Sequence, residues 1–256
     1  MFLMDFSALV SYDLLPWQWA AWILTGLCIG LTKTGFSGLT SVTIPVMAVI
    51  FGARASTGLM LPVLIFADIL AVAYYRKHAE WKYILKLVPW SLAGLAAAIL
   101  VERLIPVQAF RYIMGASIVA GLIVMLWTDL RGKNRLPPSK WWFSALFGIA
   151  GGFATTFGNA AGPILAVFLL SMRLPKNSFV GTTAWFFLII NVMKLPIQIF
   201  LWENISAGTL LFNLTLIPFV VTGAALGVFL IKKIPENAYR KIIMALTLLS
   251  TLFLFI

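Results

Sequence analysis

Four apolar runs, Thr57 to Tyr75, Tyr83 to Val101, Val107 to Trp127 and Leu210 to Ile231, leave this chain little freedom in what it can become. Each is close to the roughly 20 residues that a helix needs to cross a hydrocarbon core of about 30 Å. They are apolar all round, whereas barrel strands alternate with a period of two over about 10 residues, so they read as helices. The whole chain of 256 residues agrees: it is 62% hydrophobic and 11% charged, with a mean hydropathy of +1.00. Ordinary soluble domains do not reach such values. The expected class is an all-α integral membrane protein with the lipid bilayer as its first partner.

Two stretches break the pattern. Gly30 to Pro45, GLTKTGFSGLTSVTIP, is glycine-rich and polar between apolar runs, and Gly151 to Pro163, GGFATTFGNAAGP, is its counterpart in the second half. An unpaired backbone group in hydrocarbon costs several kcal/mol, so irregular backbone at membrane depth has to line an enclosed or water-filled cavity. The two stretches are therefore the expected substrate site. In the first, Lys33 amid Thr32, Thr34 and Ser37 is placed to bind an anion. Gly35 and Gly38 permit close backbone approach, and a helix opening near Leu39 would aim its positive end at the same ligand. The alternative is an interfacial lysine whose loop reaches water. In the second, Thr155, Thr156 and Asn159 take the matching place without a cation, and Ala160-Ala161-Gly162-Pro163 reopens a helix. Close helix packing accounts for the small residues there, but not for an asparagine and two threonines.

Three further polar residues fall inside apolar runs and are candidates for coupling or gating: Asp68, Asn191 and Lys194. Asp68 is either a proton carrier or the counter-charge of Lys33 or Lys194. Lys194, just before Pro196, either snorkels to the interface or belongs to the site. Trp185, with Thr182 and Thr183 a turn earlier, either walls the site or faces lipid.

The chain also repeats itself. Ile105-Pro106-Val107-Gln108-Ala109-Phe110-Arg111 returns 129 residues later as Ile234-Pro235-Glu236-Asn237-Ala238-Tyr239-Arg240, and Gly94 pairs with Gly223 at the same offset. Nearer the centre an offset of 122 to 123 pairs Gly26 with Gly148, Gly30 with Gly152, Gly58 with Gly181, Asp68 with Asn191, and Glu80 with Glu203. Internal repeats with interrupted helices at corresponding positions mark secondary transporters. The expected division is a first membrane repeat over 1–127, a polar linker over 128–140 and a second repeat over 141–256, each repeat with about five helical segments. Placing the loops near 76–86, 128–140, 173–176 and 232–241 on one side collects fourteen basic residues there and leaves Arg54, Arg103 and Arg111 opposite. That side is the expected cytoplasmic one. An odd number of segments per half then inverts the second repeat and puts both termini outside the cytoplasm, with the broken or re-entrant helices meeting at the midplane.

Other function classes find little support. The formal charge of +11 sits in loops between spans, which argues against nucleic acid. Cys28, the single cysteine, forms no intrachain disulfide, and Trp17, Trp19 and Trp22 resemble an interfacial aromatic belt. The N-terminus starts acidic and lacks a small-residue cleavage pattern, so no cleaved signal peptide is expected. His78 stands alone in a basic loop. Metal-ligand spacing, phosphate loops and a nucleophile with a base do not occur, so neither a metal, a cofactor nor an enzymatic reaction is expected.

These residues carry a resemblance. GLTKTGFSGL, then LPVLIFADILAVAYYRKHAEW, is similar to the first repeat of the TauE/SafE sulfite exporter-like family of anion permeases. FATTFGNAAGPILAVFLLSMRLPKNSFVGTTAWFFLIINVMKLP resembles its second, and Lys33-Thr34-Gly35 suggests a lysine-bearing KTGF branch. The resemblance implies a bacterial inner-membrane carrier of small sulfur-containing or organic anions, such as sulfite or sulfoacetate. The expected function is thus a secondary transporter working by alternating access, with protons as a candidate coupling ion. An anion channel, or a membrane-embedded enzyme or assembly factor, is the alternative.

Overall fold

The structure is a computed structural model that describes residues 12–36, 40–101 and 141–255. Among these it is helical, with no strand. In chain order the helices are α1 (Pro16–Thr34), α2 (Thr40–Phe51), α3 (Ala53–Tyr75), α4 (Trp81–Val101), α5 (Trp141–Gly158), α6 (Gly162–Ser171), α7 (Lys176–Pro196), α8 (Ala207–Asn213), α9 (Ile217–Lys233) and α10 (Glu236–Phe255). The expected span at 107–127 and the linker at 128–140 lie outside the described residues.

Among the described residues, four stretches are long and apolar enough to cross a membrane: Arg54–His78, Trp81–Val101, Lys176–Leu201 and Ala207–Lys233, of 25, 21, 26 and 27 residues. At 1.5 Å per residue they reach about 32–40 Å, which clears the hydrocarbon core. Helix α6 has only 10 residues. Its length of about 15 Å takes it half way. Every residue of it is buried, the behaviour of a helix that is apolar on all faces.

Local chemistry sets the breaks. Asn159 ends α5 in the left-handed conformation at φ 54°, which asparagine tolerates better than most side chains. Pro163 then occupies the first turn of α6, where its missing N–H costs nothing. Pro196 closes α7 and is followed by a π-helical turn, Ile197–Leu201, with Trp202 N–H donating to Ile197 O at 2.9 Å. Ser206 caps α8 by exchanging hydrogen bonds with Thr209.

Glycines fix which helices touch. An added Cβ on Gly30 would collide with the α9 backbone at Val220 and Ala224, and one on Gly223 would strike Leu27. Helices α4 and α5 pack likewise, with Gly152 against Ser91 and Gly94 against Ile149. Gly26 lies over Leu216 and Phe219, as Gly148 lies over Leu87 and Trp90. Both pairs run parallel. Under the offsets read from the sequence, one set of contacts maps onto the other with the halves exchanged. Helices α3 and α7 cross the middle antiparallel, Gly58 meeting Gln198 and Asn204 at one end and Gly181 meeting Tyr75 and Ala79 at the other.

One expectation needs correction. Trp17 is exposed, but Trp22 is no belt residue: it is fully buried, stacks on Phe212 with ring centroids 4.5 Å apart, and donates from Nε1 to Thr215 Oγ1 at 2.9 Å. A buried indole needs an acceptor, and Thr215 supplies it.

Candidate functional site

The polar residues of four helices converge where α5 is broken. Lys33, on the last turn of α1, places Nζ 2.9 Å from Asp68 Oδ1 on α3 and 4.1 Å from the centre of the Phe187 ring on α7. Asn191, also on α7, donates from Nδ2 to Asp68 Oδ2 at 2.7 Å. Its other end, Oδ1, faces Lys194 Nζ at 3.5 Å. The amide is thus oriented by chemistry, nitrogen toward the carboxylate and oxygen toward the ammonium. Lys194 donates further to Thr155 O at 2.8 Å, Thr155 Oγ1 at 3.1 Å and Asn159 Oδ1 at 2.5 Å. It is 2% exposed and Asp68 0%, so this lysine does not snorkel.

Among the described residues, two ammonium groups share the centre with one carboxylate. Lys33 and Asp68 neutralise each other, and all the acceptors around Lys194 are neutral oxygens. Removing one member of a buried ion pair costs about 3–5 kcal/mol, because the other is left uncompensated. With both lysines protonated, the cluster carries such an uncompensated positive charge.

The cluster borders a cavity of about 20 Å³ lined by Thr32, Lys33, Leu64, Thr155, Asn159, Gly162, Thr183, Phe187 and Asn191. A water needs roughly 10–15 Å³, so the cavity as it stands has room for water and not for an oxyanion. Thr32 contributes a buried hydroxyl that finds no partner among the described residues. A second cavity, also about 20 Å³, adjoins it through Leu64 and Asn159 and is mainly apolar, with Ile29, Ile44, Met47 and Met60.

The structure divides the residues expected from sequence. Thr32, Lys33, Thr155, Asn159 and Gly162 line the cavity, Asn191 lines it too, and Asp68 and Lys194 stand directly behind. Thr34 does not: its hydroxyl donates to Gly30 O and Ala224 O and ties α1 to α9. Thr156 bonds back to Gly152 O, a helix-internal contact. Gly35 ends α1 under Ile231, its carbonyl accepting from Tyr239 Oη at 3.0 Å, and Ala160 is packed in the apolar core. Trp185 neither walls the cavity nor stands free; its ring lies 5.1 Å from that of Trp81. Ser37 and Gly38 lie outside the described residues. His78 is exposed, and no cluster of metal-ligating residues occurs among the described residues.

Leu64 and Phe187 are lining residues that sequence reading missed. A signal existed for one: Thr183, Phe187, Asn191 and Lys194 recur at helical spacing on one face of α7. Also missed is a latch beyond the site, where Asn204 Nδ2 donates to Gln198 Oε1 at 2.9 Å and Gln198 Nε2 to Thr57 Oγ1 at 3.3 Å. Asn159 Nδ2 joins it through Thr57 O at 3.2 Å.

Buried charged residues among membrane-length helices, beside a small cavity with threonine, asparagine and lysine in its lining at a helix break, define a multi-pass membrane protein of the transport class. The family model described as sulfite exporter TauE/SafE matches residues 22–254. The chain belongs to that family, whose members are anion permeases. No curated protein and no solved structure shows a significant match to it.

Proposed function

We propose that the protein is a secondary transporter that moves a small anion, a sulfur-containing oxyanion or organosulfonate such as sulfite or sulfoacetate, across a bacterial inner membrane by alternating access. One observation carries this reading: the cavity adjoins two buried lysines against a single buried aspartate. An entering anion would supply the missing negative charge. It could displace Asp68 from Lys33 and accept from the Thr32 hydroxyl, which has no partner among the described residues. Charge-assisted hydrogen bonds of this kind are about twice as strong as neutral ones, and desolvation inside the bundle strengthens them further.

Two inverted repeats fit the packing. The exchanged glycine contacts of α1 with α9 and of α5 with α4 support the division into halves. Antiparallel α3 and α7, meeting at Asp68 and Asn191, are what a two-fold axis in the membrane plane would produce. Rocking one half against the other would open the cavity to alternate sides, with release of the Gln198–Asn204 latch on one of them. The side bearing the fourteen loop cations would be cytoplasmic, with both termini opposite.

A thermal-shift screen of purified protein against sulfite, sulfate, sulfoacetate and phosphate tests the reading, because a ligand of the folded state stabilises it according to occupancy. At least one oxyanion should raise the melting temperature. Lys33→Ala should abolish the shift, and Lys33→Arg should keep part of it. Absence of any shift with every anion would refute the assignment.

A further inference from the structure

Lys194 has no role as a simple anion ligand. It is not among the residues lining the cavity, and its ammonium sits in a cradle made by Thr155 O, Thr155 Oγ1, Asn159 Oδ1 and Asn191 Oδ1. Four oxygens converging on one buried cation resemble a site for a coupling ion, except that here the cation belongs to the chain. Thr155, Asn159 and Asn191 hold Lys194 on one side and line the cavity on the other. What enters the cavity is therefore felt at Lys194 through a single layer of side chains.

We propose that Lys194 is the proton site of the transporter, protonated when the anion is bound and an amine when the cavity is empty. The inference rests on the reading of the cavity as an anion site. The charged groups acting on Lys194 are Asp68 from α3 and Lys33 from α1. Helices α5 and α6 carry no titratable residue, and Lys82 and Lys86 of α4 and Glu236 and Lys241 of α10 are exposed. Arg240 of α10 donates to Leu170 O. Asp68 is already committed to Lys33, so the empty site holds one buried charge too many.

Loss of one proton from Lys194 Nζ removes it: the ammonium becomes an amine that keeps two N–H donors for its cradle. Arrival of a monoanion makes the charged form favourable again, and Nζ takes a proton from water. Anion and proton then travel together with no net charge moved. By linkage each must tighten the other's binding by the same factor.

The test uses methanesulfonate and sulfate, neither of which titrates near neutral pH, on detergent-solubilised full-length protein. Binding should take up close to one proton per methanesulfonate, read with an indicator dye in weakly buffered solution. The dissociation constant should rise about tenfold per pH unit through the window where the amine forms, so binding is tighter at lower pH. Lys194→Met, which fills the same space without charge, should bind without proton uptake. Lys194→Arg, permanently charged, should bind with an affinity independent of pH. Retention of uptake in Lys194→Met with its loss in Asp68→Asn would overturn the proposal in favour of the carboxylate. Binding by the wild type without proton uptake would overturn it outright. Failure of both anions to bind, with sulfite and sulfoacetate failing too, would overturn the anion-site reading and this inference with it; binding of sulfoacetate alone moves the same proton-uptake measurement to that anion.

Discussion

Asp68→Asn isolates the energetics of the central charge pair. The substitution preserves shape, and Asn191 Nδ2 still finds an oxygen to donate to, so what disappears is the negative charge 2.9 Å from Lys33 Nζ. Both partners are buried, at 0% and 7% side-chain exposure, so solvent screens little of the loss. Orphaning one partner of a buried pair costs about 3–5 kcal/mol. The Phe187 ring 4.1 Å from Nζ is in place before and after the substitution, so it offsets none of that loss. A destabilisation of about 3–5 kcal/mol lowers the melting temperature of a chain this size by roughly 6–20 °C. Thermal unfolding in detergent measures it. The double variant Lys33→Met with Asp68→Asn should recover most of the loss, since no orphaned charge is left. A melting temperature of Asp68→Asn within about 1 °C of the wild type, or simple additivity in the double variant, would refute the pairing as an energetic unit.

Two neighbouring glycines should behave oppositely. Gly152→Ala drives a Cβ into the Ser91 backbone and should cost more than about 2 kcal/mol by thermal unfolding, whereas Gly151→Ala meets only Ile164 Cγ2 at 3.8 Å and should be neutral or gain up to about 1 kcal/mol of helix propensity. For orientation, a cysteine at Ser139 in a Cys28→Ser background should be labelled by an impermeant thiol reagent only after the cytoplasmic face is opened. Labelling in intact cells would reverse the assignment of the loop charges.

The spans are legible in the sequence because a bilayer imposes a length, and a run such as Leu85 to Val101 has few other uses. The helix breaks are legible too: glycine, asparagine and proline interrupt the ladder for reasons local to each residue, and the π-helical turn after Pro196 follows the same logic. What joins Lys33 to Asp68 is not local. Thirty-five positions and two helix breaks separate them, and the sequence leaves Asp68 an equally good partner for Lys194. The choice is made by the packing of α1, α3 and α7, which brings Phe187 and Asp68 to Lys33 while the left-handed turn at Asn159 brings oxygens to Lys194. For the same reason Thr34 and Thr156 mislead: a threonine hydroxyl can satisfy itself on the preceding helical turn, and both do.

Counterflow in proteoliposomes tests the central claim most directly. Vesicles loaded with unlabelled sulfite or sulfoacetate are diluted into a trace of the same labelled anion, and the label inside is followed in time. A carrier that alternates its site between the two faces returns loaded, so the label should accumulate transiently above its external concentration, and Lys33→Ala should abolish the overshoot. Uptake that only approaches equilibrium, with no stimulation by the internal anion, would show a channel and contradict the account.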